Sequence, residues 1–210
     1  MQPKLIGLIA AAFTPMHADG SLNLDAIEPM TEFLINEGIT GFYVCGWTGE
    51  GPLLTFEERK AVAIAYITAA KGRIPIIVHV GHDSLALAAE QAAHAQSIGA
   101  DAIAAIPPTY FGVASEDILI ECLLKITSAA PNTPFYYYHI PRLTGVSFDV
   151  LSLLQKSEER LPTLAGIKYT APTVSEFQSL LNYKDGKYTV LFGTDEMLSS
   201  ALSIGAYGAI

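Results

Sequence analysis

Strand and helix patterns alternate seven times along this chain, and that alternation limits the fold more than any other feature. Leu5 to Phe13 is a continuous apolar run stopped by Thr14-Pro15 and reads as strand 1. Asp25 to Asn36 carries Ile27, Met30, Phe33 and Leu34 at helical spacing, with Gly38 as a stop. Gly41 to Cys45 is strand 2. Thr55-Phe56-Glu57-Glu58 has the form of a capping box and opens a helix through Ala70. Strand 3 (Ile74 to Val80), a helix (Ser84 to Ile98), strand 4 (Asp101 to Ile106) and a helix (Glu116 to Ala129) follow. Then come strand 5 (Phe135 to Ile140), a helix (Phe148 to Lys156), strand 6 (Thr163 to Lys168) and a helix (Val174 to Leu181). Strand 7 (Tyr188 to Phe192), a helix (Met197 to Ile204) and the start of an eighth strand at Gly208-Ala209-Ile210 end the chain.

Strands that are apolar almost throughout are covered on both faces, and short strands alternating with helices make parallel βα units. Seven or eight such units point to a (β/α)8 barrel. An open doubly wound sheet is disfavoured because no Gly-x-Gly-x-x-Gly follows the first strand. The reading is one domain over residues 1–210, with no linker or low-complexity segment. A complete barrel takes about 250 residues. This chain stops as strand 8 begins, so the expectation is a barrel truncated there, lacking its C-terminal part, with strands 1 and 7 at risk of open edges.

Composition narrows the function. A net charge of −9 argues against nucleic acid, which needs a basic surface. No apolar run approaches the ~18 residues of a membrane span. The start, Met1-Gln2-Pro3-Lys4, lacks the features of a signal peptide. Cys45 and Cys122 lie in apolar runs with no disulfide framework, which fits a cytoplasmic protein.

In a (β/α)8 barrel the site forms at the C-terminal strand ends. Those ends carry Thr48, Gly49 and Gly51 after strand 2, and Thr109 and Tyr110 after strand 4. They carry Tyr138 and His139 on strand 5, Lys168 and Thr170 on strand 6, and Gly193, Asp195 and Glu196 after strand 7. A lysine closing a buried strand either snorkels outward or is held uncharged by desolvation. In the second case it is a nucleophile able to form a Schiff base with a ketone. Strands 5 and 6 are neighbours about 4.8 Å apart, which lets Tyr138 meet Lys168. A phenol there can move protons, and a threonine hydroxyl with glycine-loop N–H groups suits a carboxylate. The parts together suit a carbon–carbon lyase acting on a 2-keto acid. His79 and His82 form a weak metal signal, since that spacing on a strand points to opposite faces, and no metal site is expected. His139 should face away from the barrel axis if Tyr138 faces inward.

Three motifs carry a resemblance. They are Gly46-x-Thr48-Gly49-Glu50, Tyr138-His139-Ile140-Pro141-x-x-Thr144-Gly145 and Gly166-Ile167-Lys168. In this order, on strands 2, 5 and 6, they resemble the dihydrodipicolinate synthase/N-acetylneuraminate lyase family of class I aldolases. The resemblance implies a (β/α)8 barrel, a homotetramer and pyruvate as the keto-acid half, with neither metal nor organic cofactor. It implies Lys168 as the Schiff-base residue, Tyr138 as proton carrier, and Thr48 with Gly49 as the carboxylate site. It matches Tyr110 to the tyrosine that some members lend to a neighbouring subunit. Leu143, where family synthases carry arginine, points to the lyases that cleave N-acetylneuraminate to N-acetylmannosamine and pyruvate. Thr170, Gly193, Asp195 and Glu196 match the substrate contacts of those lyases. The alternatives are another pyruvate-dependent aldolase or dehydratase, or a non-catalytic barrel fragment. Trp47 stands where the family has Ser or Thr in a proton relay, and a ring of that size is expected to fill space near the keto acid.

Overall fold

In the computed structural model, which describes residues 5–210, eight parallel strands close into a barrel in the order β1 to β8. The strands are β1 Gly7–Ala11, β2 Gly41–Val44, β3 Ile76–His79, β4 Ala102–Ala105, β5 Phe135–His139, β6 Leu164–Tyr169, β7 Thr189–Phe192 and β8 Gly208–Ala209. Between them run α1 Ile27–Asn36, α2 Phe56–Ala70, α3 Leu85–Ser97, α4 Glu116–Thr127, α5 Pro141–Thr144, α6 Val150–Ser157, α7 Val174–Asn182 and α8 Leu198–Ser203. Among these, only α5 has no counterpart in the sequence pattern. Pro141 starts that turn with its preset φ, and Gly145 ends it at φ +68°.

The expected open edges are absent. Gly208 and Ala209 pair with Gly7 and Leu8 of β1, and Ala209 also pairs with Phe192 of β7. Two residues suffice because closure needs hydrogen bonds across the gap rather than a long strand. β1 departs from the rule of two covered faces. Ile6 and Leu8 are 60% and 53% exposed, so no described helix lies over that stretch.

Alternation along each strand separates two apolar layers. Phe42, Val44, Ile76, Val78, Ile103, Phe135, Tyr137, Ile167, Tyr169, Val190 and Phe192 pack outward against the helices. Ile9, Tyr43, Ile77, Ala102, Ala104, Tyr136, Tyr138 and Leu191 fill the barrel. The interior is unusual in mixing alanines with three tyrosines. β4 contributes only the small Ala102 and Ala104 to this layer. β6 contributes Gly166 and Lys168 inward, and its outer face is braced. Tyr169 donates its hydroxyl to Glu176 of α7, whose carboxylate also accepts the Val150 N–H at 3.0 Å.

Local capping follows the sequence. Thr55 and Glu58 form the reciprocal capping box at the start of α2. Ser84, Ser115 and Asp149 cap α3, α4 and α6 through their side-chain oxygens.

Candidate active site

The C-terminal ends of β5 and β6 bring Tyr138 and Lys168 together as direct register partners. Both point into the barrel and both are buried, at 4% and 5% exposure. The Lys168 Nζ lies 4.3 Å from the ring centroids of both Tyr138 and Tyr43. Burial strips the ammonium of water and lowers the lysine pKa from 10.5 to about 7, against a smaller opposing pull from the Asp195 carboxylate. Burial likewise lifts the Tyr138 phenol to about 12, while the neighbouring Thr170 hydroxyl draws it the other way. An amine that is half neutral near pH 7 stands against a phenol that keeps its proton. This is the combination needed for nucleophilic attack followed by proton delivery.

The strand-6 and strand-7 ends complete the centre. Gly193 N–H donates to Tyr169 O at 2.8 Å, which fixes the chain as it leaves β7. A Cβ at Gly193 would lie 2.1 Å from Thr170 Oγ1 and 3.3 Å from Lys168 Cε, so glycine here leaves room for both side chains. Thr170 Oγ1 is buried and approaches the Tyr138 hydroxyl without the geometry of a full hydrogen bond. Asp195 opens a 3-10 turn, Asp195–Met197, and its charge acts on both Lys168 and Tyr138. Neither Asp195 nor Glu196 caps that turn through its side chain. Thr194 occupies the cap position, so the acids are left facing solvent.

The loop after β2 is built on close approaches. Cys45 and Glu50 adopt left-handed φ values of +57° and +54°. A Cβ at Gly51 would fall 1.9 Å from the Cys45 carbonyl oxygen, and one at Gly49 would fall 2.9 Å from the Ala12 carbonyl. Thr14 Oγ1 holds the loop by donating to Gly49 O at 2.6 Å. The expectation that Gly51 supplies a backbone donor to a ligand is corrected, because its N–H closes the turn onto Gly46 O at 3.0 Å. Thr48 is exposed at the turn. Burial pushes the Cys45 thiol up to about 11, so it is an inert packing residue.

A cavity of about 200 Å³ opens at this end of the barrel. Trp47, Pro52, Ile106, Pro107, Ile140 and Leu143 give it an apolar wall, and His82, Asp83, Thr109, Tyr138 and Thr144 give it a polar one. Trp47 is 60% exposed at the rim, so its ring borders this space without filling it, contrary to the expectation from its size. Lys168 is not part of the cavity wall. It stands against Tyr138, which is. Tyr110 also lies apart from the centre of its own chain. It is 79% exposed and packs edge-on against Phe111, with ring centroids 4.8 Å apart. Asp83 orders that loop by accepting the Thr109 N–H at 2.6 Å and the Tyr110 N–H at 3.1 Å.

Two residues near the centre, Tyr43 and Arg59, escaped sequence reasoning, and His79 entered it only as half of a weak metal signal. Tyr43 enters from β2, His79 from β3, and the rings of Tyr43, His79 and Tyr138 stand 5.7 to 6.1 Å apart. Burial and the nearby Arg59 charge keep the His79 imidazole well below its usual pKa, hence neutral. Arg59 of α2, itself 2% exposed, donates to His79 O at 2.6 Å and Gly81 O at 3.1 Å, clamping the exit of β3. Period-two alternation in Gly41-Phe42-Tyr43-Val44 was the available signal for Tyr43, since the residue between two outward apolar neighbours points inward. His79 and His82 both border the cavity, because His82 lies beyond the strand where the two-residue period no longer applies. Among the described residues no group of three or more His, Cys, Asp or Glu side chains is placed to hold a metal ion. His139 faces outward, stacked on Tyr169 at 5.3 Å, as its position after Tyr138 requires.

Comparison with known proteins adds independent support. Residues 4–210 match the model of the dihydrodipicolinate synthetase family. The N-acetylneuraminate lyase A of Xenopus laevis is 42% identical over 210 residues, covering 99% of this chain and 68% of the relative. The human N-acetylneuraminate lyase is 41% identical, with 99% and 66% covered. The Proteus mirabilis N-acetylneuraminate lyase structure superposes with a TM-score of 0.95 at 40% identity, over 99% of this chain and 70% of that one. A prophage protein of E. coli K12 from the same family, solved in complex with pyruvate, gives a TM-score of 0.90 at 32% identity over 98% of this chain and 69% of its own. The chain thus spans about two thirds of the length of these relatives. Matched along nearly its whole length by sequence and by fold, it belongs to the dihydrodipicolinate synthetase family.

Proposed function

We propose that this chain is a class I aldolase that cleaves N-acetylneuraminate to N-acetylmannosamine and pyruvate. The observation that carries the proposal is the buried Lys168 amine, with a pKa of about 7, in register with Tyr138 at the mouth of the barrel. The lyases to which the chain is 41–42% identical supply the substrate class.

In this mechanism the neutral Lys168 nitrogen attacks the keto carbon of the open-chain sugar acid. The carbonyl oxygen leaves as water, one proton is taken up, and a cationic imine results. Tyr138, left as a phenolate after giving its proton to the departing water, accepts the proton of the C4 hydroxyl as the C3–C4 bond breaks, and the bonding pair flows into the imine to give an enamine. Protonation of the enamine carbon and hydrolysis release pyruvate and restore the amine. Thr48 and Gly49 are assigned to the substrate carboxylate. Thr170, Gly193, Asp195 and Glu196 are assigned to the sugar hydroxyls, where exposed acids serve as acceptors. The amine and phenol supply the chemistry without a cofactor. A homotetramer is inferred as the working assembly, supported by the adjacent rings of Tyr110 and Phe111, 79% and 81% exposed on the loop after β4. A cytoplasmic setting is supported by two free cysteines, one of them buried.

The test is borohydride reduction in the presence of pyruvate, followed by mass mapping. A stable adduct on Lys168 is expected, and a folded sample that yields none removes the proposal. The rate of adduct formation should climb with pH through about 7 and level off above it, because only the neutral amine attacks. A limb centred near 10 would mean that the amine is solvated. Tyr138→Phe separates the two roles. Adduct formation should persist while turnover falls by about 10² to 10⁴, the usual worth of a positioned acid–base group.

A further inference from the structure

The amine of Lys168 sits in a corner made by two aromatic faces, and only one of them belongs to a residue already given a role. Tyr138 comes from the adjacent strand. Tyr43 comes from β2, across the barrel from β6, and brings its ring centroid to 4.3 Å from Nζ. The two rings meet edge to face at 77° with centroids 5.7 Å apart, so each presents a separate wall to the nitrogen. The Tyr43 ring is 1% exposed, and its hydroxyl makes no hydrogen bond. What it offers the nitrogen is therefore the face of the ring. Space for it comes from Gly46, where a Cβ would approach the ring to 2.5 Å.

We propose that Tyr43 is a further catalytic residue of this centre, its ring face stabilising the positive charge on the Lys168 nitrogen once that nitrogen has become an iminium. The inference rests on the imine chemistry proposed above. When the imine forms, the nitrogen bonds the keto carbon, water departs, and the C=N nitrogen keeps one hydrogen and the charge. That charge makes the imine an electron sink, and a neutral imine would be a poor one. Burial works against any cation at this position. The groups facing it are the Asp195 carboxylate, the neutral His79 ring and the two phenols. A ring face attracts a cation through its quadrupole, and most strongly where water is excluded. It does so without a second carboxylate that would repel the keto acid.

The experiment places phenylalanine, then progressively fluorinated phenylalanines, at position 43 of the full chain. Fluorine drains the ring face of negative potential and leaves its shape nearly unchanged. The readout is the pyruvate concentration giving half-maximal borohydride-trapped adduct on Lys168. Tyr43→Phe, which keeps the ring face and loses only the unpartnered hydroxyl, sets the reference value for the series. The pentafluoro ring should raise that concentration about tenfold, equivalent to about 1.4 kcal/mol, with partly fluorinated rings in between. A flat series with normal trapping overturns the role of Tyr43 and leaves the Schiff-base reading standing. Failure of the parent chain to trap pyruvate removes both.

Discussion

Replacing Lys168 with methionine should abolish adduct formation and at the same time make the fold more stable. The two effects have one cause. Lys168 is 5% exposed, and desolvation lowers its pKa from 10.5 to about 7. The unfolded chain therefore binds a proton more tightly at this side chain than the folded chain does. Between pH 7 and 10.5 the unfolded state holds more protons, and stability rises with pH through that window. Below pH 7 the full cost is present, and above 10.5 it vanishes. With about 1.4 kcal/mol per pKa unit, the cost at neutral pH is on the order of 4 kcal/mol. Methionine keeps the length of the stem, has nothing to desolvate, and makes favourable sulfur contacts with the rings of Tyr43 and Tyr138. Urea unfolding should show the variant ahead by a few kcal/mol at pH 7 and progressively less so toward pH 10. Equal stability at both pH values would mean that Lys168 is not held neutral, and the nucleophile assignment would go with it.

The second large effect is expected from one carbon atom. Gly166→Ala would put a Cβ 2.1 Å from the Thr189 carbonyl oxygen of β7 and 2.7 Å from the Tyr136 ring. The first of these is backbone in the barrel ladder, at the Gly166–Thr189 register pair, and it cannot swing aside. Either β6 and β7 part or the interior rings move, so the variant should lose about 3 kcal/mol, the upper part of the range for overpacking. Lys168 lies two residues further along the same inward face, so trapping of pyruvate should fall as well. Gly112→Ala is the control. A Cβ at Gly112 would meet nothing within 4 Å, and the change should alter stability by no more than about 0.5 kcal/mol. If Gly166→Ala unfolds at the same urea concentration as the parent, the close packing assigned to the barrel interior is wrong.

Much of this protein was legible in the order of its residues. Seven alternating strand and helix patterns pointed to a parallel barrel because each pattern reports its own local period. The apolar strands announced two covered faces, and Thr55 with Glu58 announced the start of α2. The position of Lys168 at the end of a buried run pointed to a desolvated amine, and adjacency of strands pointed to Tyr138 as its partner. These inferences travel along the chain or between consecutive strands. What depended on the tertiary structure is contact across the barrel. Three strands lie between Tyr43 on β2 and Lys168 on β6, and their meeting depends on the closure of the barrel. Closure by the two residues of β8, the outward lie of Trp47 and the capture of the Gly51 N–H by Gly46 were decided the same way. Each turns on a distance between atoms far apart in sequence or on the path of a loop, and a residue pattern specifies neither.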